Sequence, residues 1–233
     1  MSKPSIILVV YNGLQYLPDC LASLREECRA VPGSEVVVVD NASSDGSVNL
    51  VEKRWPQVRL IQNETNCGFA AACNQGAAQA GGDVLVFLNQ DTQVQPGWLA
   101  GLLRPLEKEL AIGLATSKVL LMSQPDKIHM CGQDIHFTGF AFGRGFLAQA
   151  DGFVRTEQVS AISGASFAVR RELWEQLGGF DPGFFMYYEE TDLSWRARLA
   201  GASSWYTPDS VIYHDYTMGN SALALSYSER NRW

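Results

Sequence analysis

Residues 6–10 read Ile-Ile-Leu-Val-Val, an apolar run with no polar alternation. A strand of this kind must be covered on both faces, which requires a mainly parallel sheet with helices on either side. The pattern recurs at residues 36–39 and 84–88, and a further strand is expected at 58–61. Helical stripes fall between these runs. Leu14, Leu17, Leu21 and Leu24 recur three and four apart, while Val48, Val51 and Trp55 outline a second helix. An alanine-rich helix from about Phe69 ends at Gly81-Gly82, and residues 98–110 carry a fourth stripe. Strands joined by helical crossovers define an α/β fold, with ligands expected beyond the C-terminal ends of the strands.

From about Lys118 to Gln158 the periodicity fades. The glycine- and aromatic-rich stretch 137–146 suggests a hairpin or mobile loop. Helical signals return at 170–177 and 190–200, followed by strand pieces at 203–207 and 211–213. With 233 residues, no repeat and no linker, the chain is expected to be a single domain. No apolar run approaches the ~20 residues of a membrane span, and Ser2-Lys3-Pro4 lead straight into a strand without a signal-peptide core. Five cysteines at spacings unlike any metal knuckle suggest reduced thiols and a cytoplasmic setting. A net charge of −7 argues against a nucleic-acid partner. An anionic ligand would therefore need local positive potential from a metal, helix ends or a few arginines.

Five places could carry chemistry. Asp40-Asn41-Ala42-Ser43-Ser44-Asp45 follows a buried strand, where a carboxylate can accept hydrogen bonds from a ribose or base; an ordinary turn capped by Ser44 or Asp45 is the plainer reading. Asn89-Gln90-Asp91-Thr92 also follows a strand, and a carboxylate there could hold Mg2+ or Mn2+ against a diphosphate, or simply shape a turn. Glu189-Glu190-Thr191-Asp192 opens a helix, so its charges could serve the helix dipole or pair with Arg196. The run Phe184-Phe185-Met186-Tyr187-Tyr188 before it instead favours a general base with a pKa adjusted by burial. Finally, His214 could be a metal ligand or a structural partner, and Arg230 could meet a diphosphate or lie in solvent. A P-loop and a Gly-x-Gly-x-x-Gly turn are both absent, which disfavours a P-loop NTPase and a nicotinamide enzyme.

The order of these pieces resembles the family 2 glycosyltransferases of GT-A fold, particularly a rhamnosyltransferase-like bacterial branch. The resemblance runs from Tyr11-Asn12 through Asp40-Asn41, Asn66-Cys67-Gly68-Phe69 and Asn89-Gln90-Asp91 to Glu189-Glu190, His214 and Arg230-Asn231. It implies a mixed, mainly parallel central sheet flanked by helices. Residues 1–117 would form a nucleotide-binding half and 118–233 an acceptor and catalytic half. It also implies a nucleotide-diphospho-sugar donor held by Tyr11, Asn12, Asp40, Asn41, Asn66, Gly68, Phe69, Asn89 and Arg230. Asp91 and His214 would bind Mg2+ or Mn2+. Asn89 stands where the family's Asp-x-Asp motif has its first carboxylate. Glu190 maps to the base of an inverting transfer, with Glu189 and Asp192 as nearby alternatives. The acceptor implied is a glycan or lipid-linked hydroxyl in cell-surface polysaccharide synthesis, with docking at the inner face of the membrane.

A catalytically impaired nucleotide-sugar-binding protein and a nucleotidyltransferase are the rival readings. The second would need a basic, glycine-rich loop where this chain has Tyr11-Asn12-Gly13-Leu14. Relatives usually continue beyond the position of Trp233, so a C-terminally truncated chain is one reading the resemblance leaves open.

Overall fold

The computed structural model describes residues 2–216 and 222–232. The front half alternates β1 (Pro4–Val10), α1 (Leu17–Ala30), β2 (Glu35–Asp40), α2 (Ser47–Arg54), β3 (Arg59–Gln62), α3 (Phe69–Gln79), β4 (Val84–Asn89), β5 (Thr92–Val94) and α4 (Trp98–Lys108). The back half comprises β6 (Ile112–Leu121), β7 (Gln124–Met130), β8 (Gln133–Ile135), β9 (Ala141–Gly143), β10 (Glu157–Val159), β11 (Ser166–Arg170), α5 (Arg171–Leu177), α6 (Glu189–Leu199), β12 (Ser203–His214) and α7 (Ala222–Asn231).

Strands β3-β2-β1-β4 run parallel in that order. The sheet continues through β11, antiparallel to both β4 and β6, and then through β12, parallel to β6. Both faces of the central strands are covered, as the unbroken apolar runs require. Ile6, Leu8 and Val10 point into one cluster with Leu21 of α1 and Leu99 of α4. Ile7 and Val9 point into the other, with Cys73 of α3, Leu173 of α5 and Leu193 of α6. Each such side chain contributes roughly 1.5–3 kcal/mol by leaving water, so a polar change on either face would be felt.

Strands β5, β6, β7, β10 and β11 lie outside the sequence-based expectation. In β6, Gly113, Thr116, Ser117 and Lys118 interrupt the apolar pattern. The Thr116 hydroxyl donates to Ser166 O, and Ser117 joins Ser166 and the Trp98 indole in a buried hydrogen-bonded group. Polar residues are tolerated there because each has a partner. β11 is only five residues long and leads directly into α5. The pieces expected at 203–207 and 211–213 form one strand, β12, with an irregularity between Thr207 and Val211. The stretch 137–146 holds the turn and β9 of a hairpin, but its partner strand β8 lies ahead of the expected bounds, at Gln133–Ile135.

Candidate active site

The register brings the candidate residues to one edge of the sheet. Val10 lies opposite Asp40, Val9 opposite Asn89, and Leu88 opposite Ser166. The C-terminal ends of β1, β2 and β4 therefore meet beside the turn that precedes β11. Two surface clefts, lined by Leu110, Arg170, Leu173 and their neighbours, lie toward the opposite edge, where Arg170 is opposite Val84. They take no part in this constellation.

Side-chain-to-backbone bonds tie the first two loops together. Asn12, at φ 49°, donates its backbone N–H to Ser43 Oγ and accepts the Ser44 N–H on Oδ1 at 2.9 Å. Gly13 N–H donates to Ser47 Oγ, and Leu14 N–H to Asp45 Oδ2. Asp45 Oδ1 also accepts the Ser47 N–H, so Asp45 supports the start of α2 from just before its Gly46 cap. Asp40 is buried; its Oδ2 accepts the Ser43 N–H, while Oδ1 has no partner. That oxygen is the acceptor in this loop that a ligand N–H or hydroxyl could satisfy. Tyr11 is half-exposed, and its backbone exchanges two hydrogen bonds with the Gln90 side chain, joining β1 to the turn after β4.

Asn41 and Asn66 organise the next loop. The Asn41 amide donates to Asn66 Oδ1 and accepts the Cys67 N–H, and Asn66 Oδ1 also accepts the Gly68 N–H. Gly68 has φ +86°, and a Cβ there would lie 2.6 Å from the Phe185 ring. The loop before α3 is thus pressed against residues 182–188, with the Ala70 N–H directed at Phe185 O. Phe69 lies 6.4 Å from Phe180, ring centre to ring centre. Arg230 and Asn231 of α7 hold the same segment from the other side. The Arg230 guanidinium donates to Gly183 O and Phe184 O and lies over Tyr227, and Asn231 donates to three carbonyls of residues 184–187.

Asp91 and His214 converge after β4 and at the end of β12. Asp91 Oδ1 is 3.2 Å from His214 Nε2, and the Asp215 N–H donates to Asp91 O. Behind them is His129 of β7, which no sequence motif marks because β7 lies where periodicity is lost. Its Nδ1 is 3.1 Å from His214 Nδ1, and its ring stacks on Tyr216 at 4.1 Å. Burial, reinforced by His214, pushes the His129 pKa down to about 3, so it is neutral near pH 7. One oxygen and one nitrogen ligand suit a divalent cation whose other ligands come from elsewhere. Among the described residues no group of three or more His, Cys, Asp or Glu is arranged to hold a metal. The pair therefore fits a cation that shares its shell with an anionic ligand, rather than a closed structural site.

The three acids of α6 have different surroundings. Asp192 Oδ2 accepts two hydrogen bonds from Arg196, whose guanidinium also donates to Leu177 O and Gly179 O. Glu189 is buried with Oε2 unpartnered; burial and the adjacent Glu190 push its carboxyl well above the usual range. Glu190 is only partly buried. Its Oε1 accepts Gln133 Nε2–H at 2.9 Å. Burial raises its pKa, while that donor and backbone N–H groups, including Gly164, act in the opposite direction. Asn89 N–H donates to Ala165 O, which connects the turn beside Glu190 to the strand leading to Asp91. The Asn89 backbone oxygen accepts the Thr92 hydroxyl.

The family described as Glycosyl transferase family 2 matches residues 5–178. An N-acetylglucosaminyl-diphospho-decaprenol L-rhamnosyltransferase of Mycobacterium tuberculosis is 29% identical over 234 residues, spanning 90% of this chain and 75% of that protein. An O-antigen biosynthesis protein of Myxococcus xanthus is 28% identical, and the match covers 99% of this chain but 19% of that one. Among solved structures, GalNAc-T7 with UDP, GalNAc and Mn2+ superimposes with a TM-score of 0.78 at 22% identity, over 99% of this chain and 47% of that one. A mannosyltransferase from Pyrobaculum calidifontis with GDP-Man and Mn2+ gives a TM-score of 0.70 at 20% identity, over 94% and 58%. Among the described residues no helix is long and apolar enough to cross a membrane.

Proposed function

The chain belongs to glycosyl transferase family 2 and has the GT-A fold, and on that premise we propose that it is an inverting transferase. It would move a sugar from a nucleotide-diphospho-sugar to a hydroxyl of a glycan or lipid-linked acceptor in cell-surface polysaccharide synthesis. The name of the mycobacterial relative supports rhamnose as the sugar and a diphospho-lipid acceptor, which makes dTDP-rhamnose the first donor to test. The UDP on GalNAc-T7 makes a UDP-sugar the second. We assign the reaction to the cytoplasm, at the inner face of the membrane where a lipid-linked acceptor would present its sugar.

The observation that carries the mechanism is the difference among the three acids of α6. Asp192 is engaged by Arg196 and Glu189 lies inside the protein, whereas Glu190 is partly exposed and held by donors. Donors favour the ionised form, which a general base needs. Glu190 takes the proton of the acceptor hydroxyl as its oxygen bonds to the anomeric carbon. The bond from that carbon to the diphosphate breaks on the opposite face, so configuration inverts and the nucleoside diphosphate leaves. Asp40 receives the nucleoside on its unpartnered Oδ1. Asn12 and Asn66 shape the loops around it, and the 66–69 loop and the start of α3 flank the diphosphate. Asp91 and His214 would hold Mg2+ or Mn2+, which supplies positive charge to the leaving diphosphate when bound.

A thermal-shift panel of nucleotide-sugars with Mn2+, Mg2+ or EDTA tests the donor assignment. A ligand at 100 times its Kd stabilises by ~2.7 kcal/mol, a visible change in Tm. A shift for one diphosphate-sugar that EDTA abolishes supports both donor site and cation. No shift with any nucleotide-sugar on folded protein contradicts the proposal. The second reading, a nucleotide-sugar-binding protein without turnover, draws support from Asn89 in place of a carboxylate. Measured transfer excludes it.

A further inference from the structure

We propose that Gln133 is a positioning residue for the transfer, fixing the side chain of Glu190 and favouring its ionised form; the inference rests on the reading of Glu190 as the base. Gln133 opens β8 and is buried. Its backbone N–H donates to Ala161 O at 2.8 Å, and its carbonyl accepts the Ala161 N–H at 3.2 Å, so its main chain is anchored in both directions. Its side chain is held at both ends as well. Oε1 accepts the Thr191 hydroxyl at 2.7 Å, and Nε2 donates to Glu190 Oε1 at 2.9 Å.

This arrangement has one consistent polarity. An ionised carboxylate only accepts, so the amide nitrogen must face Glu190; the carbonyl end then faces a hydroxyl able to donate. Turning the amide over would set its oxygen against the Glu190 carboxylate, so the Glu190 contact fixes the orientation, while the Thr191 hydroxyl can serve either end. On the other side, a Cβ at Gly164 would lie 3.3 Å from Glu190 Cδ, so the glycine lets the backbone come up against the carboxylate. Glu190 is thereby confined between an amide donor and a turn whose Gly164 N–H also favours its ionised form. Glu189 is the titratable group beside it, and Cys73 and Tyr187 face Glu189 in turn. None of these supplies a cation, so hydrogen-bond donors provide the stabilisation of the ionised form. The other end of β8 leads into the turn carrying exposed Phe137 and Phe140, which links the amide to the element expected on the acceptor side.

The test compares kcat, KM and the pH profile of sugar transfer for wild type, Gln133→Met, Thr191→Val and Glu190→Gln. Gln133→Met keeps the length and removes both side-chain bonds. The expected result is a loss of ~10-fold or more in kcat, as for a lost hydrogen bond to a charged group. Donor Kd stays unchanged, and the acid limb of kcat against pH moves upward by about one unit. Thr191→Val leaves the donor but frees the amide, and should move the same limb in the same direction by less. If Gln133→Met does not fold, the direction of the Thr191→Val limb decides. A lowered Tm with an unmoved pH limb is the signature of a merely structural glutamine and overturns the inference. Glu190→Gln separates the two levels. If it is inactive while both other variants keep the wild-type profile, the positioning role fails and the base assignment stands. If it retains turnover, both fall.

Discussion

His214 Nε2 stands 3.2 Å from Asp91 Oδ1, and the opposite ring nitrogen of His214 meets His129 at 3.1 Å. Thr92 pairs with His214 across β5 and β12, so the geometry is built into the sheet. If the pair holds a divalent cation, His214→Gln should weaken Mn2+ affinity in the presence of a nucleoside diphosphate by ~10-fold or more. His129→Phe retains an aromatic ring for Tyr216 and removes the partner nitrogen, and should produce a smaller loss. Isothermal titration with Mn2+ reads both; unchanged affinity in His214→Gln removes that residue from the metal site.

Glu189 predicts a pH-dependent stability. Its carboxyl is raised by burial and by Glu190, so the native state holds this proton more tightly than the unfolded chain does. Stability from this group is therefore fully present below the ordinary value of 4.5 and declines as pH rises toward the raised native value. Glu189→Gln carries no proton to lose, so it should be more stable than wild type at pH 8. The gain should disappear near pH 4. Urea melts across that range check it, and a difference independent of pH would contradict the assignment.

Gly68→Ala should act at the contact between the loop before α3 and residues 182–188. A methyl group would enter at a positive φ and collide with Phe185. The expected cost is about 1–3 kcal/mol of stability, together with a raised KM for the donor and a smaller effect on kcat. Thermal melts and steady-state kinetics check this. Wild-type KM in the variant would show that the contact does not shape the donor site.

Much of the front half was legible because its strands have both faces covered and its helices carry regular stripes. Residues 6–10, 36–39 and 84–88 could hardly be anything else, and their register sets Val10, Asp40 and Asn89 at one edge. β6 was not legible because Thr116 and Ser117 are buried through partners distant in sequence, including Ser166 and Ser210. The same cause hid Gln133 and His129. Each matters through contacts distant in sequence, Gln133 with Glu190 57 positions away and His129 with His214 85 positions away, and neither lies in a motif. Sequence order drew attention to Glu189, Glu190 and Asp192 as a group; only the fold shows how differently they are partnered.

The most direct test is the rate of sugar transfer by wild type and Glu190→Gln, using the donor selected by thermal shift, with donor Kd measured on the same samples. The account predicts that the variant binds donor as wild type does and loses ~100-fold or more in kcat, the scale of a missing general base. Wild-type turnover in Glu190→Gln would contradict it.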